Sequence, residues 1–165
     1  MTAKQIVSMA LSLVGNNGGD RFWKEYGYAN RVAWCCIFVW YVFKACGASM
    51  LFYDGKKTAY CPTLMNWGKS NGLSVTVSDA KPGDIVFFDW NANAIADHVG
   101  ICVENMDSSI KTVDGNVNDE VQIITRDHSK VCWVIRPLYD AETESCADCP
   151  LRNALITLYN KLKGE

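Results

Sequence analysis

Histidine is scarce: the chain of 165 residues holds two, His98 and His128, so any chemistry joining a thiol to an imidazole base must use one of them. Basic charge is not in excess, since 16 Lys and Arg face 18 Asp and Glu for a net charge of −2. That balance supplies no field for a phosphate backbone and excludes a dedicated nucleic-acid binder. No run of about 18 apolar residues occurs, so no membrane span is predicted. An export signal is not evident either. Lys4 is the single leading charge, Ser8 and Ser12 interrupt Ile6 to Val14, and no small-x-small step precedes Asn16-Asn17-Gly18-Gly19. The one Cys-x-x-Cys, Cys146 to Cys149, has no second Cys pair or His pair at the spacing of a structural zinc site. Eight cysteines without an export signal read as reduced thiols, with Cys46, Cys61, Cys102 and Cys132 as small buried hydrophobes.

What is present supports one folded domain. Half the residues are apolar and 12% aromatic, enough buried surface to offset chain entropy. Up to Gly72 the pattern is helical. Ile6, Met9, Ala10, Leu13 and Val14 recur at helical spacing behind a capping box of Thr2 and Gln5. A second helix, apolar almost all round, is predicted from Trp34 or Cys35 to before Gly47, and a third from Pro62 to Asn71-Gly72. Beyond Gly72 come six short runs rich in β-branched and aromatic residues: Leu73–Val77, Ile85–Phe88, Val99–Val103, Ile110–Val113, Val121–Thr125 and Val131–Ile135. Turn residues separate them, including Pro82-Gly83-Asp84 and Gly115 to Asp119. Such close spacing predicts an antiparallel sheet with helices on one side, the α+β class. Residues 1–140 form the predicted catalytic unit; 141–165 form an extension with a helix from Leu151 to Leu162, suited to docking, oligomerisation or linkage.

His128 lies in the polar turn Arg126-Asp127-His128-Ser129-Lys130, where a solvated imidazole is expected. His98 instead opens an apolar strand after a loop of small polar residues, so its ring can line a cleft on a rigid support. Cys35 and Cys36 stand at the start of the buried helix, where unpaired N–H groups and the helix dipole favour a thiolate and can hold an oxyanion. Asp114 and Asn116, two apart on a strand, are placed to reach one imidazole from a neighbouring strand.

Four motifs occur in order: Trp34-Cys35-Cys36-Ile37-Phe38-Val39-Trp40, Lys81-Pro82-Gly83-Asp84-Ile85-Val86-Phe87-Phe88, Asp97-His98-Val99-Gly100-Ile101 and Asp114-Gly115-Asn116. Over roughly residues 5–137 the chain resembles the CHAP family, cysteine- and histidine-dependent amidohydrolases and peptidases within the NlpC/P60 group of papain-like hydrolases. The resemblance implies Cys35 as nucleophile, Cys36 at a small non-catalytic position, His98 as base, and Asp114 and Asn116 as orienting residues. Because the family more often has Glu where Asp114 stands, the shorter Asp leaves Asn116 as the candidate direct partner and Asp114 behind it. The segment Tyr28 to Ala33 lacks the carboxylates through which some family members hold calcium, so no metal and no cofactor is expected. Asp84 reads as a turn residue rather than an acid catalyst. Trp23, Tyr26, Tyr28, Trp67 and Trp90 are candidates either for a substrate groove or for ordinary core and rim.

By this resemblance the chain is a peptidoglycan hydrolase that cuts an amide bond of the stem peptide or cross-bridge. The expected setting is a phage-type endolysin or an autolysin, with a holin or another route of release to the wall. Its expected partner is bacterial peptidoglycan, with homo-oligomerisation through the C-terminal helix as an option. Two other readings predict different behaviour: an inert wall-binding module, and a thiol-redox or zinc protein using Cys146 and Cys149.

Overall fold

The computed structural model describes residues 1–141. The expectations for Cys146, Cys149 and the C-terminal helix lie outside the described residues. Among the described residues four α-helices, α1 (Ala3–Ser12), α2 (Asp20–Tyr26), α3 (Cys35–Ala45) and α4 (Cys61–Ser70), precede a six-stranded sheet. Its strands are β1 (Ser74–Val75), β2 (Ile85–Phe88), β3 (His98–Asn105), β4 (Ser109–Val117), β5 (Glu120–Asp127) and β6 (Val131–Ile135). All neighbours are antiparallel, in the order β1-β6-β2-β3-β4-β5. The α+β class and six antiparallel strands read from the sequence are those of the structure. Among the described residues no helix is long and apolar enough to cross a membrane.

α1 starts as its residues dictate, with Thr2 and Gln5 closing a reciprocal capping box. α3 is the central element: Cys35 to Phe43 are all buried, so the helix has no solvent face over more than two turns. It packs in one core with Val99 and Ile101 of β3 and Val113 of β4. Val86, Phe88, Cys102, Ile110 and Val134 form a smaller second core.

Gly115 corrects the sequence reading of a turn over Gly115 to Asp119. β4 runs on to Val117, which pairs with Glu120, and the turn is Asn118-Asp119, both at positive φ as a two-residue hairpin requires. Gly115 is needed for another reason. A Cβ there would overlap Phe38 and crowd Trp34, so its absence lets α3 lie directly on β4.

α2 is not among the helices predicted individually. It has seven residues and begins at Gly19, in left-handed conformation with no side-chain cap, so the usual start signals are missing. A Cβ on Gly19 would overlap the Trp34 ring. Trp34 stacks on Phe22 at 5.1 Å, and its Nε1 donates to Asp119 Oδ1 at 3.1 Å. Arg31 Nη2 donates to the same oxygen at 2.8 Å. The chain entering α3 is thus tied to the β4–β5 turn, which fixes where Cys35 begins.

Candidate active site

Cys35 is the first residue of α3 and is 7% exposed, whereas Cys36 is fully buried with its Sγ toward the Thr58 carbonyl at 3.4 Å. Cys35 is the thiol coupled to His98, each shifting the protonation of the other. Trp34 caps the helix with no side-chain hydrogen bond and no acidic residue lies in the first turn. The first N–H groups of α3 are therefore free of a competing side-chain acceptor, and the positive end of the helix is not neutralised there.

His98 opens β3 opposite Phe88. Two residues on, Gly100 pairs with Asp114 of β4, so His98, Gly100 and Asp114 share one face of the sheet. The Asp114 side chain fills the space a Gly100 side chain would take: a Cβ at Gly100 would overlap Asp114 Oδ1. From there Asp114 Oδ2 reaches diagonally to His98 Nε2 at 2.9 Å. With Nε2 engaged, Nδ1 is the ring nitrogen left for Cys35.

Asn116 is not brought to the imidazole in the same way. The register shifts between Asp114 and Val117, and Asn116 sits at φ 64 in that irregularity. A regular strand would have placed Asp114 and Asn116 on one face; the bulge breaks the alternation. The direct hydrogen bond to His98 comes from Asp114.

Asp114 is fully buried, and no local signal in the sequence reveals what balances its charge. The structure supplies Arg126 of β5, whose Nη1 donates to Asp114 Oδ2 at 2.5 Å and to Thr112 Oγ1 at 3.3 Å. The guanidinium lies 4.5 Å over the Phe88 ring and 5.4 Å from that of Trp90. Trp90 stacks on Phe88 with ring centroids 5.8 Å apart and stands 5.9 Å from the His98 ring. Asp97 Oδ2 accepts from the Trp90 backbone N–H at 2.8 Å, pinning the loop that presents this half-exposed indole. Of the five aromatics named from sequence, Trp90 stands beside the histidine. Trp23 is core, Tyr26 and Tyr28 stack on each other, and Trp67 donates to Asp54.

Burial opposes a charge on His98, but the hydrogen bond to Asp114 and the influence of the Cys35 thiol outweigh it and raise the imidazole to about 9. The Cys35 thiol is held well above the usual range, first by its contact with Cys61 and then by burial, while His98 pulls it down. Cys61, the first residue of α4, places its Sγ 3.6 Å from Cys35 Sγ.

The other polar residues serve the scaffold. Asp84 is a buried turn residue, accepting from the Lys81 N–H at 2.8 Å and from Arg136 Nε and Nη2 at 2.9 and 2.7 Å. His128 is half-buried rather than solvated, its Nε2 bonded to Asn105 Oδ1 at 2.9 Å.

A thiol at a helix start, an imidazole on the neighbouring sheet and a buried carboxylate behind it form the layout of a cysteine amidohydrolase. The chain belongs to the CHAP domain family, whose model matches residues 27–116, more than half of its length. Membership supports a peptidoglycan hydrolase of the cysteine- and histidine-dependent amidohydrolase class. Among solved structures, Ly7917 aligns with a TM-score of 0.53 at 14% identity, covering 83% of this chain and 62% of its own. This chain therefore spans less than two thirds of that protein. An N-acetylmuramoyl-L-alanine amidase from Bacteroides uniformis gives 0.51 at 14% identity, over 82% of this chain and 98% of that one. A protein of the NLP/P60 family from Staphylococcus aureus, described as similar to lipoprotein, gives 0.46 at 14% identity, over 84% of this chain and 42% of that one. The first two share the fold. A search of curated protein sequences finds no relative.

Proposed function

We propose that the chain hydrolyses an amide bond in the stem peptide or cross-bridge of peptidoglycan, with Cys35 as nucleophile, His98 as acid and base, and Asp114 as the positioning residue. The observation that carries the reading is the His98 ring held by Asp114 through Nε2 while its other side addresses Cys35. His98 Nδ1 takes the Cys35 proton and the sulfur attacks the amide carbon. The N–H groups at the start of α3 stabilise the oxyanion. His98 then gives the proton to the departing amine as the C–N bond breaks, leaving a thioester. Water, deprotonated by His98, cleaves the thioester and restores the thiol. Asp114 keeps the ring oriented and balances the imidazolium in both halves. Trp90, half-exposed beside the His98 ring, offers an aromatic face to a sugar or peptide stem. Asn116 acts from the bulge without bonding the ring.

The catalytic unit is residues 1–140, and the setting is wall lysis of the endolysin or autolysin kind. Likeness to the N-acetylmuramoyl-L-alanine amidase of Bacteroides uniformis favours the lactyl amide of N-acetylmuramic acid over a peptide link. Mass spectrometry of digested peptidoglycan tests both points. Free stem peptides with intact glycan strands identify an amidase, and shortened stems identify an endopeptidase. Unchanged muropeptides under reducing conditions reject hydrolysis and leave the inert wall-binding reading.

A further inference from the structure

Cys61 has no part in the reaction above, yet its sulfur lies 3.6 Å from that of the nucleophile. The two thiols open different helices, α3 and α4, and both are almost enclosed, at 7% and 5% exposure. A disulfide needs its sulfurs about 2.05 Å apart, so the gap left to close is about 1.5 Å. Cys36 is the rival partner, and it is fully buried with its sulfur turned to the Thr58 carbonyl.

We propose that Cys35 and Cys61 are a peroxide-driven disulfide site that reversibly blocks the nucleophile and shields it from irreversible oxidation. The effect on activity rests on Cys35 being the nucleophile; the bond itself does not. In the first step the Cys35 thiolate, its proton held by His98, attacks one oxygen of a hydroperoxide. An S–O bond forms, the O–O bond breaks, and the departing oxygen leaves as water or an alcohol after taking up a proton. Cys35 is now a sulfenic acid, oxidised by two electrons while the peroxide is reduced. The Cys61 sulfur then attacks the Cys35 sulfur and loses its proton. The S–S bond forms, the S–O bond breaks, and the hydroxyl leaves as water. A small dithiol reverses the modification by thiol exchange, taking the two electrons' worth of oxidation onto itself. Proximity decides the outcome: a thiol already in contact captures the sulfenic acid before a second peroxide can reach it.

The test uses the full chain, reduced, freed of reductant and exposed to hydrogen peroxide. Trypsin without reductant should join the peptide 32–44, which holds Cys35 and Cys36, to the peptide 58–69, which holds Cys61. Fragmentation should assign the bond to Cys35, and Cys36→Ala should still form it. Muropeptide release should fall at least tenfold and return with dithiothreitol. In Cys61→Ser and Cys61→Ala the same peroxide dose should instead take Cys35 to the sulfinic acid, about 32 Da heavier, which dithiothreitol does not reverse. A bond through Cys36, or sulfinic Cys35 in the wild-type chain with no joined peptides, overturns the proposal. Joined peptides in a chain whose reduced form releases no muropeptide would leave this site standing and defeat the hydrolase reading. Release without joined peptides would do the reverse.

Discussion

Arg126 and His98 meet on a single atom: Asp114 Oδ2 accepts from the guanidinium at 2.5 Å and from the imidazole at 2.9 Å. Asp114 has no solvent exposure, and this cation, itself largely covered by Phe88 and Trp90, lies against it as its charge partner. Arg126→Met should therefore release Asp114 from its pose and lower kcat about 10- to 100-fold with KM within about twofold. Thermal unfolding should show a stability loss of about 3 kcal/mol from the buried carboxylate left with the imidazole as its one partner. Arg126→Lys should recover part of kcat. An Arg126→Met enzyme with normal kcat would remove Arg126 from the account.

Gly100→Ala probes the same carboxylate from the opposite strand. The added methyl group overlaps Asp114 Oδ1, an oxygen with no hydrogen-bond partner of its own to hold it in place. The carboxylate should swing away, with activity falling at least tenfold for a stability cost of only about 1–3 kcal/mol. Gly115→Ala should behave differently, because there the new methyl group meets Phe38 and Trp34 in the main core. Its larger effect should be on the unfolding midpoint, read by calorimetry of the two variants side by side.

These two glycines mark how far the sequence could be read. β2 and β6 coincide with runs visible in the sequence, since a strand buried wholly, as β2 is, or in large part shows itself as a short block of branched and aromatic residues. The Thr2 capping box and the apolar α3 were equally legible, being local signals. Gly115 to Asp119 misled as a turn from its first residue because its composition is that of a turn, while the real constraint on Gly115 is Phe38 of α3, 77 positions earlier, pressing on it. The bulge at Asn116 likewise has no period to reveal it. Arg126 and Cys61 were out of reach for the same reason: an ion pair across β4 and β5 and a thiol contact between two helix starts exist only after folding.

The pH dependence follows from His98. Its imidazole titrates at about 9 in the folded chain against 6.5 unperturbed, because Asp114 and Cys35 more than offset the cost of burial. A raised folded value means that this contribution to stability is fully present below about pH 6.5 and is lost as pH rises through about 9. His98→Ala should lose less stability than wild type over that window, as measured by urea unfolding at several pH values. In catalysis Asp114 and Cys35 are the partners that act on this ring. The acid limb of kcat/KM should lie on the alkaline side of neutral, and Cys61→Ala should move it lower, since the Cys61 contact is the largest influence raising Cys35. An unmoved limb in that variant would contradict the assignment.

Neighbouring cysteines should separate cleanly. Cys35→Ser should abolish clearing of susceptible walls with little change in unfolding, whereas Cys36→Ser should keep most activity and lose about 1–2 kcal/mol by burying a hydroxyl where a thiol packs. Turbidity clearing together with thermal denaturation distinguishes the two.

The central claim is a covalent bond between substrate and one sulfur, and acid-quenched turnover of a purified muropeptide followed by peptide mass mapping addresses it most directly. An acyl adduct on Cys35 within the peptide 32–44, absent from Cys35→Ser and diminished in His98→Ala, is the predicted result. Turnover that proceeds with the adduct on Cys36, or in a Cys35→Ser chain, would contradict it.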